Sequence, residues 1–409
     1  MGGMRRMGWL GGWAAMVVGG LLAGCASVTP TEYREPPPLA SAERATLNAK
    51  VFDRAWELVN RHYFDASFRG VEWAAMKAKY RPAAVAAAND RELYRVLNEM
   101  AAELKESHLA AITPRRAHEM HVQHRAAIGV RWEVVDGKRV VVDVVPGGPA
   151  DGAGIEPGLL VVSRNGAPIA EGDVFITRLN EAVKYGFIDR AGREREFTLQ
   201  PRLLMFERME TRLLDGGFVY LRFDAFNRVT LSWLSDELKA QAAAPGVVID
   251  LRSNHGGSAF LLRVALAEFF SHPVPEGRLV QRGGREKEER TLAWRSARYP
   301  GDVVLLTGPA SGSAAEIFAH VLQHHGRATV VGRKTAGAVI YSRTFRLPGG
   351  GELQVPVTDY VGLDGKRLEG RGVVPDVAVP AATLAQRRAA VDPDLAAALE
   401  ILKKREPVK

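Results

Sequence analysis

Between residues 41 and 112, apolar positions recur every three to four residues, the period of helices packed on one side. Val51, Ala55, Leu58 and Val59 share one helical face, and Trp73, Met76 and Tyr80 outline a second helix. Asp90 reads as the N-cap of a third, with Leu93, Val96, Leu97, Met100 and Leu104 on its apolar side. Their aromatic and Met residues read as core. From 128 to 200 the period shortens. Strands are expected at 139–145 and 159–162, separated by Pro146-Gly-Gly-Pro149 and a short helix at 150–155. From 201 to 385, apolar runs at 218–223, 246–251, 303–306 and 328–331 alternate with helical patterns at 231–242, 259–270 and 315–323. A last helix is expected at 394–402. The run Gly246-Val-Val-Ile-Asp-Leu251 looks buried on both faces, as in a parallel sheet. The fold class is therefore α/β, with an N-terminal helical segment, a small β-rich domain and a core built on a largely parallel sheet.

The 409 residues suffice for two or three domains, and the 46% hydrophobic and 25% charged content is that of an ordinary globular chain. The formal net charge is +8, of which Arg5 and Arg6 supply two, leaving +6. The basic residues are scattered, which speaks against a nucleic-acid partner. Arg5 and Arg6 followed by the apolar Trp9–Leu22 form a targeting segment too short to span a membrane. It ends in Leu22-Ala-Gly-Cys25, which resembles a bacterial lipoprotein box. By that resemblance Cys25 is lipidated, becomes the mature N-terminus and ties the protein to the cell envelope. Ala26 behind it is similar to an outer-membrane sorting signal, with the protein facing the periplasm. Cys25 is the only cysteine, so no internal disulfide forms. The expected organisation is a signal peptide at 1–24, a Pro-rich tether at 25–42, a helical domain at 43–115, a β-rich domain at 120–202, the α/β core at 203–385 and a terminal helix and tail at 386–409.

Four words carry candidate chemistry. Pro309-Ala-Ser-Gly-Ser-Ala-Ala-Glu-Ile317 lies between an apolar strand and a helix, a turn that can present a serine beside the free N–H groups of a helix start. Alone, it reads as a helix cap. Ile249-Asp-Leu-Arg-Ser-Asn-His-Gly-Gly257 ends a strand in a Gly-Gly turn, where bare backbone can approach a ligand. Lys105-Glu-Ser-His108 and Arg367-Leu-Glu-Gly-Arg-Gly-Val-Val-Pro-Asp376 supply a histidine and a carboxylate. His324-His325 has no suitably spaced Cys or carboxylate partner, so no metal site is expected, and no cofactor.

In order and wording the four resemble the serine peptidases that include tricorn and the carboxyl-terminal processing peptidases, over roughly residues 45–400. The resemblance implies a ClpP/crotonase-like α/β core. One branch of that family uses a Ser–Lys dyad, but Ala338 stands where its lysine belongs, and Lys334 is out of register. Thr335-Ala-Gly337 is similar instead to the tricorn and retinoid-binding-protein-like branch, which uses a Ser-His-Ser-Glu tetrad. Carried over, Ser313 is the nucleophile, His108 the general base, and Ser107 with Glu369 the supporting pair. A base is required because a serine hydroxyl is a poor nucleophile at its own pKa. Ala314 and either Gly256 or Gly257 supply the oxyanion hole. Ile128-Gly-Val130, Gly148-Pro-Ala150, Ala153-Gly-Ile155, Pro157-Gly158 and Asn165-Gly166 resemble a permuted PDZ domain, in which Ile128, Gly129 and Val130 are the loop that captures a peptide carboxylate. The partner implied is a polypeptide substrate; the assembly state is open, and an oligomer is compatible with it. The expected activity is cleavage of unfolded or extended polypeptide. Two other readings stand beside it: a catalytically weak protein that captures polypeptide C-termini, and an esterase.

Overall fold

Along the parallel sheet, successive residues go to opposite faces, and both faces are covered. In strand Gly246–Asp250, Val247 and Ile249 enter one core with Leu234, Leu262 and Phe318, whereas Val248 enters another with Ala398 and Leu402. All five residues of the strand are buried, which is why it reads as an unbroken apolar run. The computed structural model describes residues 33–122, 124–170, 172–173, 175, 177–292 and 298–404. Cys25 and the leader lie outside these residues.

The sheet runs Met209–Leu213, Val219–Phe223, Gly246–Asp250, Asp302–Thr307, Thr329–Gly332, Val377–Ala378. Its first pair is antiparallel and the remaining pairs are parallel. Helices Arg228–Ala240, Ala259–Leu266 and Ala314–His324 cover one face, and Pro393–Lys404 covers the other. Arg228–Ala240 starts earlier than its apolar pattern because the Asn227 side chain accepts the Thr230 N–H at 2.9 Å. The helix expected over 259–270 ends at Leu266.

A second, five-stranded sheet is antiparallel and was not anticipated. The long strand Glu352–Val361 pairs with Ala110–Ile112, Ile340–Arg346 and Pro275–Gln281, and the last pairs with Glu286–Arg290. Helices Ser41–His62, Trp73–Ala86 and Asp90–Ala102 pack onto it. Phe52, Leu58 and Leu97 share one core with Leu347, Leu353 and Val355. The N-cap of the third helix is Asn89, not Asp90, because the Asn89 side chain accepts the Glu92 N–H at 3.0 Å.

The β-rich unit has its own sheet, ordered Val130–Val135, Lys138–Val144, Leu160–Arg164, Val183–Ile188, Glu194–Leu199. Its core includes Ile128, Val141, Ile155 and Phe187. Arg125–Ala127 and Arg202–Leu204 pair at its base, so it enters and leaves the chain as one unit. Among the described residues no helix is long and apolar enough to cross a membrane.

Candidate active site

Two loops leave the carboxyl ends of adjacent parallel strands and meet, the position at which open α/β sheets hold ligands. The loop after Asp302–Thr307 ends at Ser313, the N-cap of helix Ala314–His324. Ser313 has φ 55° and ψ −121°, a left-handed backbone that a residue with a side chain adopts at a cost of about 1–3 kcal/mol. Ser311, two residues earlier, is fully buried. Its hydroxyl donates to the Leu251 carbonyl at 2.8 Å and accepts the Gly308 N–H at 3.0 Å. Ser311 therefore ties the turn together, and Ser313 is the half-buried serine of the two.

The other loop follows Gly246–Asp250. Asn254 is fully buried and pins three segments: its amide donates to the Phe223 carbonyl at 3.0 Å, its side-chain oxygen accepts the Gly256 N–H at 2.9 Å, and its carbonyl accepts the Gly312 N–H at 3.0 Å. Gly256 has φ 97°, and a Cβ there would stand 2.6 Å from the Ser313 Cβ. Gly257, at φ 143°, is pressed against the Phe226 backbone. The Gly256 N–H is thus committed to Asn254. The N–H groups of Gly257 and Ala314 have no hydrogen-bond partner among the described residues.

Ser107 and His108 follow the third helix. The Ser107 hydroxyl lies 2.7 Å from His108 Nδ1. The Ser107 N–H donates to one oxygen of the buried Glu369 at 2.9 Å, and the Val339 N–H donates to the other at 2.5 Å. Glu369 thus reaches Ser107 through the backbone. Burial holds the His108 imidazole below its ordinary pKa, with the charges of Glu369 and Glu106 pulling the other way. The ring is therefore neutral at pH 7, as a proton acceptor must be. No hydrogen bond joins His108 to Ser313 among the described residues.

The segment 335–339 links the two halves. Its Ala338 carbonyl accepts the Ser313 N–H at 2.9 Å, and its Val339 N–H holds Glu369. Glu316, fully buried on the first turn of the 314–324 helix, grips the same segment. Its carboxylate accepts hydrogen bonds from Thr335 Oγ1 (2.5 Å), Gly337 N–H (2.7 Å), Ala338 N–H (2.8 Å) and Ser313 N–H (3.1 Å). Burial raises the Glu316 pKa, and these four donors oppose that rise. In the sequence, Glu316 is an acidic residue on a first helical turn, where such a residue commonly suits the helix start. The signal that it does more was its pairing with the Thr335-Ala-Gly337 word, whose donors it takes up.

The other histidines stand apart from this arrangement. His255 is exposed. His320 is pushed down to about 4 by burial and accepts the Leu363 N–H at 3.0 Å through Nε2. His325 contacts the Pro275 carbonyl at 2.8 Å. No cluster of His, Cys, Asp and Glu suited to a metal occurs among the described residues.

In the β-rich unit, Ile128 is buried, and its carbonyl accepts the Ala150 N–H at 2.9 Å. Gly129 has φ 84°, and Val130 opens strand Val130–Val135, which lies at the edge of its sheet. Arg131 on that strand donates to Ser253 at 2.5 Å and to Asp224 at 3.2 Å, at the carboxyl ends of the parallel strands. A cavity of 1180 Å³ opens between the unit and those strand ends, with Arg131, Val134, Ser253 and Pro309 in its wall.

Residues 217–379 match the model of peptidase family S41, and residues 46–102 match that of the tricorn protease C1 domain. A carboxyl-terminal-processing protease of Synechocystis sp. is 27% identical over 390 residues, covering 88% of this chain and 88% of that protein. Two solved structures share the fold. The photosystem II D1 C-terminal processing protease is 20% identical, with a TM-score of 0.56 over 87% of this chain and 97% of that one. Mature CPAF complexed with lactacystin is 13% identical, with a TM-score of 0.60 over 88% of this chain and 98% of that one.

Proposed function

The chain belongs to peptidase family S41 and is a serine-type peptidase, and from that premise we propose that it cleaves extended polypeptides with a Ser-His-Ser-Glu tetrad in the bacterial envelope. Ser313 Oγ attacks the scissile carbonyl while His108 Nε2 takes its proton. His108 Nδ1–H then points at the Ser107 hydroxyl, and Glu369 holds Ser107 by its backbone N–H. The tetrahedral oxyanion is met by the N–H groups of Ala314 and Gly257; Gly256 brings the two loops together and donates to Asn254 instead. The amine leaves with the proton from His108, and water, deprotonated by the same imidazole, releases the acyl group from Ser313.

The observation that carries this reading is the strained Ser313 backbone beside two N–H groups that no other group among the described residues uses. The edge strand beginning at Val130, with Ile128 and Gly129 before it, supports capture of a polypeptide C-terminus by strand addition. Lipidation of Cys25 would keep the enzyme at the membrane, probing chains in the periplasm.

The test is a fluorophosphonate label together with cleavage of an unstructured protein. Labelling is expected in the parent and absent in Ser313→Ala, and cleavage is expected to vanish in both Ser313→Ala and His108→Ala. Undiminished cleavage by either variant sinks the mechanism. A second reading, a weakly catalytic protein that captures C-termini, draws on the missing His108–Ser313 hydrogen bond and on Ala338 in place of a lysine. A parent protein that binds C-terminal peptides but neither labels nor cleaves would establish it.

A further inference from the structure

Among the charged residues of the four sequence words that the mechanism leaves idle are Glu106, next to Ser107, and Arg367, two residues before Glu369. They lie 261 positions apart in the chain and meet in the fold. The Glu106 side chain is wholly removed from solvent. Arg367 Nη2 donates to both of its oxygens, each at 3.1 Å. Tyr63 Oη and Arg69 Nη1 each donate to Oε1 at 2.9 Å. Arg367 turns its Nε to Asp359, on strand Glu352–Val361, so it is fixed from the sheet side as well.

We propose that the Glu106–Arg367 pair is a positioning device for the reaction, clamping the turn that carries Ser107 and His108 onto the loop that carries Glu369. The backbone alone joins these loops weakly, through one hydrogen bond from Ser107 N–H to Glu369. Arg367 adds direction to that contact, because one rigid guanidinium spans two carboxylates, with Nη2 on Glu106 and Nε on Asp359, and a rotation of the group breaks at least one of them. Lys105, immediately before Glu106, has φ 53°, so the turn is held in a conformation that its own backbone does not favour. A fixed partner on the far side is what keeps such a turn in place. The clamp therefore sets where the imidazole stands when substrate arrives, and it touches neither substrate nor the reacting atoms.

This proposal rests on His108 as the base, so His108→Ala is measured beside the clamp variants. Unchanged turnover in His108→Ala would defeat the mechanism itself rather than the clamp. Glu106→Gln and Arg367→Met are compared with the parent by kcat, KM and the pH profile of kcat/KM. Both variants are expected to lose about 10- to 100-fold in kcat with little change in KM, as misplacement of a catalytic group does. Their pH profiles must then part. His108 faces the charges of Glu369 and Glu106, both of which raise its pKa. Removing the Glu106 charge moves the acid limb to lower pH. Removing Arg367 leaves the Glu106 charge less compensated and moves the limb to higher pH. A purely structural pair would lower activity without this divergence. A Glu106→Gln enzyme that folds and turns over within twofold of the parent overturns the proposal, and so do acid limbs that stay together. If either substitution prevents folding, Arg367→Lys is read in its place. It keeps the charge but loses the paired geometry, so kcat must fall while the acid limb stays, and parental kcat overturns the clamp.

Discussion

The carbonyl of Ala338 accepts the N–H of Ser313 at 2.9 Å. The residue that the sequence resemblance sets in the place of a dyad lysine is thus bonded, backbone to backbone, to the serine. Ala338→Lys in a His108→Ala background is expected to recover about 10- to 100-fold of the turnover lost, a modest share of what a positioned base supplies. Its activity should rise toward alkaline pH, since a lysine acts as a base only when neutral. Peptide hydrolysis across pH 6–10 checks this; no recovery at any pH means that position 338 does not aim at the nucleophile.

Gly256 tolerates no side chain. The Cβ of Gly256→Ala would meet the Ser313 Cβ at 2.6 Å, and the φ of 97° would add strain. The variant should displace the nucleophile turn and lose on the order of 100- to 1000-fold in kcat, as loss of an oxyanion donor does, with KM nearly unchanged. Steady-state kinetics with a peptide substrate decide this.

Glu316→Gln exchanges four accepting positions for a group that itself donates. At least one buried donor loses its partner, which should lower unfolding stability by roughly 2 kcal/mol. Fluorophosphonate labelling of Ser313 should slow in parallel, because the same bonds hold its backbone. Denaturant unfolding and labelling rates measure the two effects, and a change in neither would show that segment 335–339 holds itself in place.

The pH dependence has a fixed sign. In the proposed mechanism the neutral form of His108 is the base, and burial holds its pKa below the ordinary 6.5, so the acid limb of kcat/KM should lie below that value. The unfolded chain binds this proton more readily than the folded one, so stability falls as pH drops below about 6.5. Glu369→Gln removes a charge that raises the His108 pKa; its acid limb should move further down while kcat drops. Initial rates between pH 4 and 8 test both statements.

The parallel core was readable because strands such as Gly246–Asp250 are buried on both faces and carry no polar interruption until their last residue. The antiparallel sheet was not readable. Its central strand Glu352–Val361 includes Pro356 and the buried Glu352 and Asp359, a pattern that argues against a strand when read locally. Pro356 fits because the ladder shifts register there, between Tyr341 and Ser342 of the partner strand. Asp359 fits because Arg367 reaches it. Both compensations come from elsewhere in the chain. The site shows the same division. Ser313, His108 and Glu369 stood out as members of words, but the sequence could not separate Gly256 from Gly257. That choice depends on which N–H the Asn254 side chain takes, a fact of geometry alone.

The helices of residues 41–102 share their core with Leu347, Leu353 and Val355, and Ser107 reaches Glu369 across 262 positions. This has a consequence in time. During synthesis, the segment bearing His108 emerges long before the strand it packs on and before Glu369, its proposed carboxylate partner. A growing chain therefore has no assembled site until residue 369 has been made and has folded back. With the proposed tetrad, the order of translation keeps the peptidase inert while it is itself an extended polypeptide.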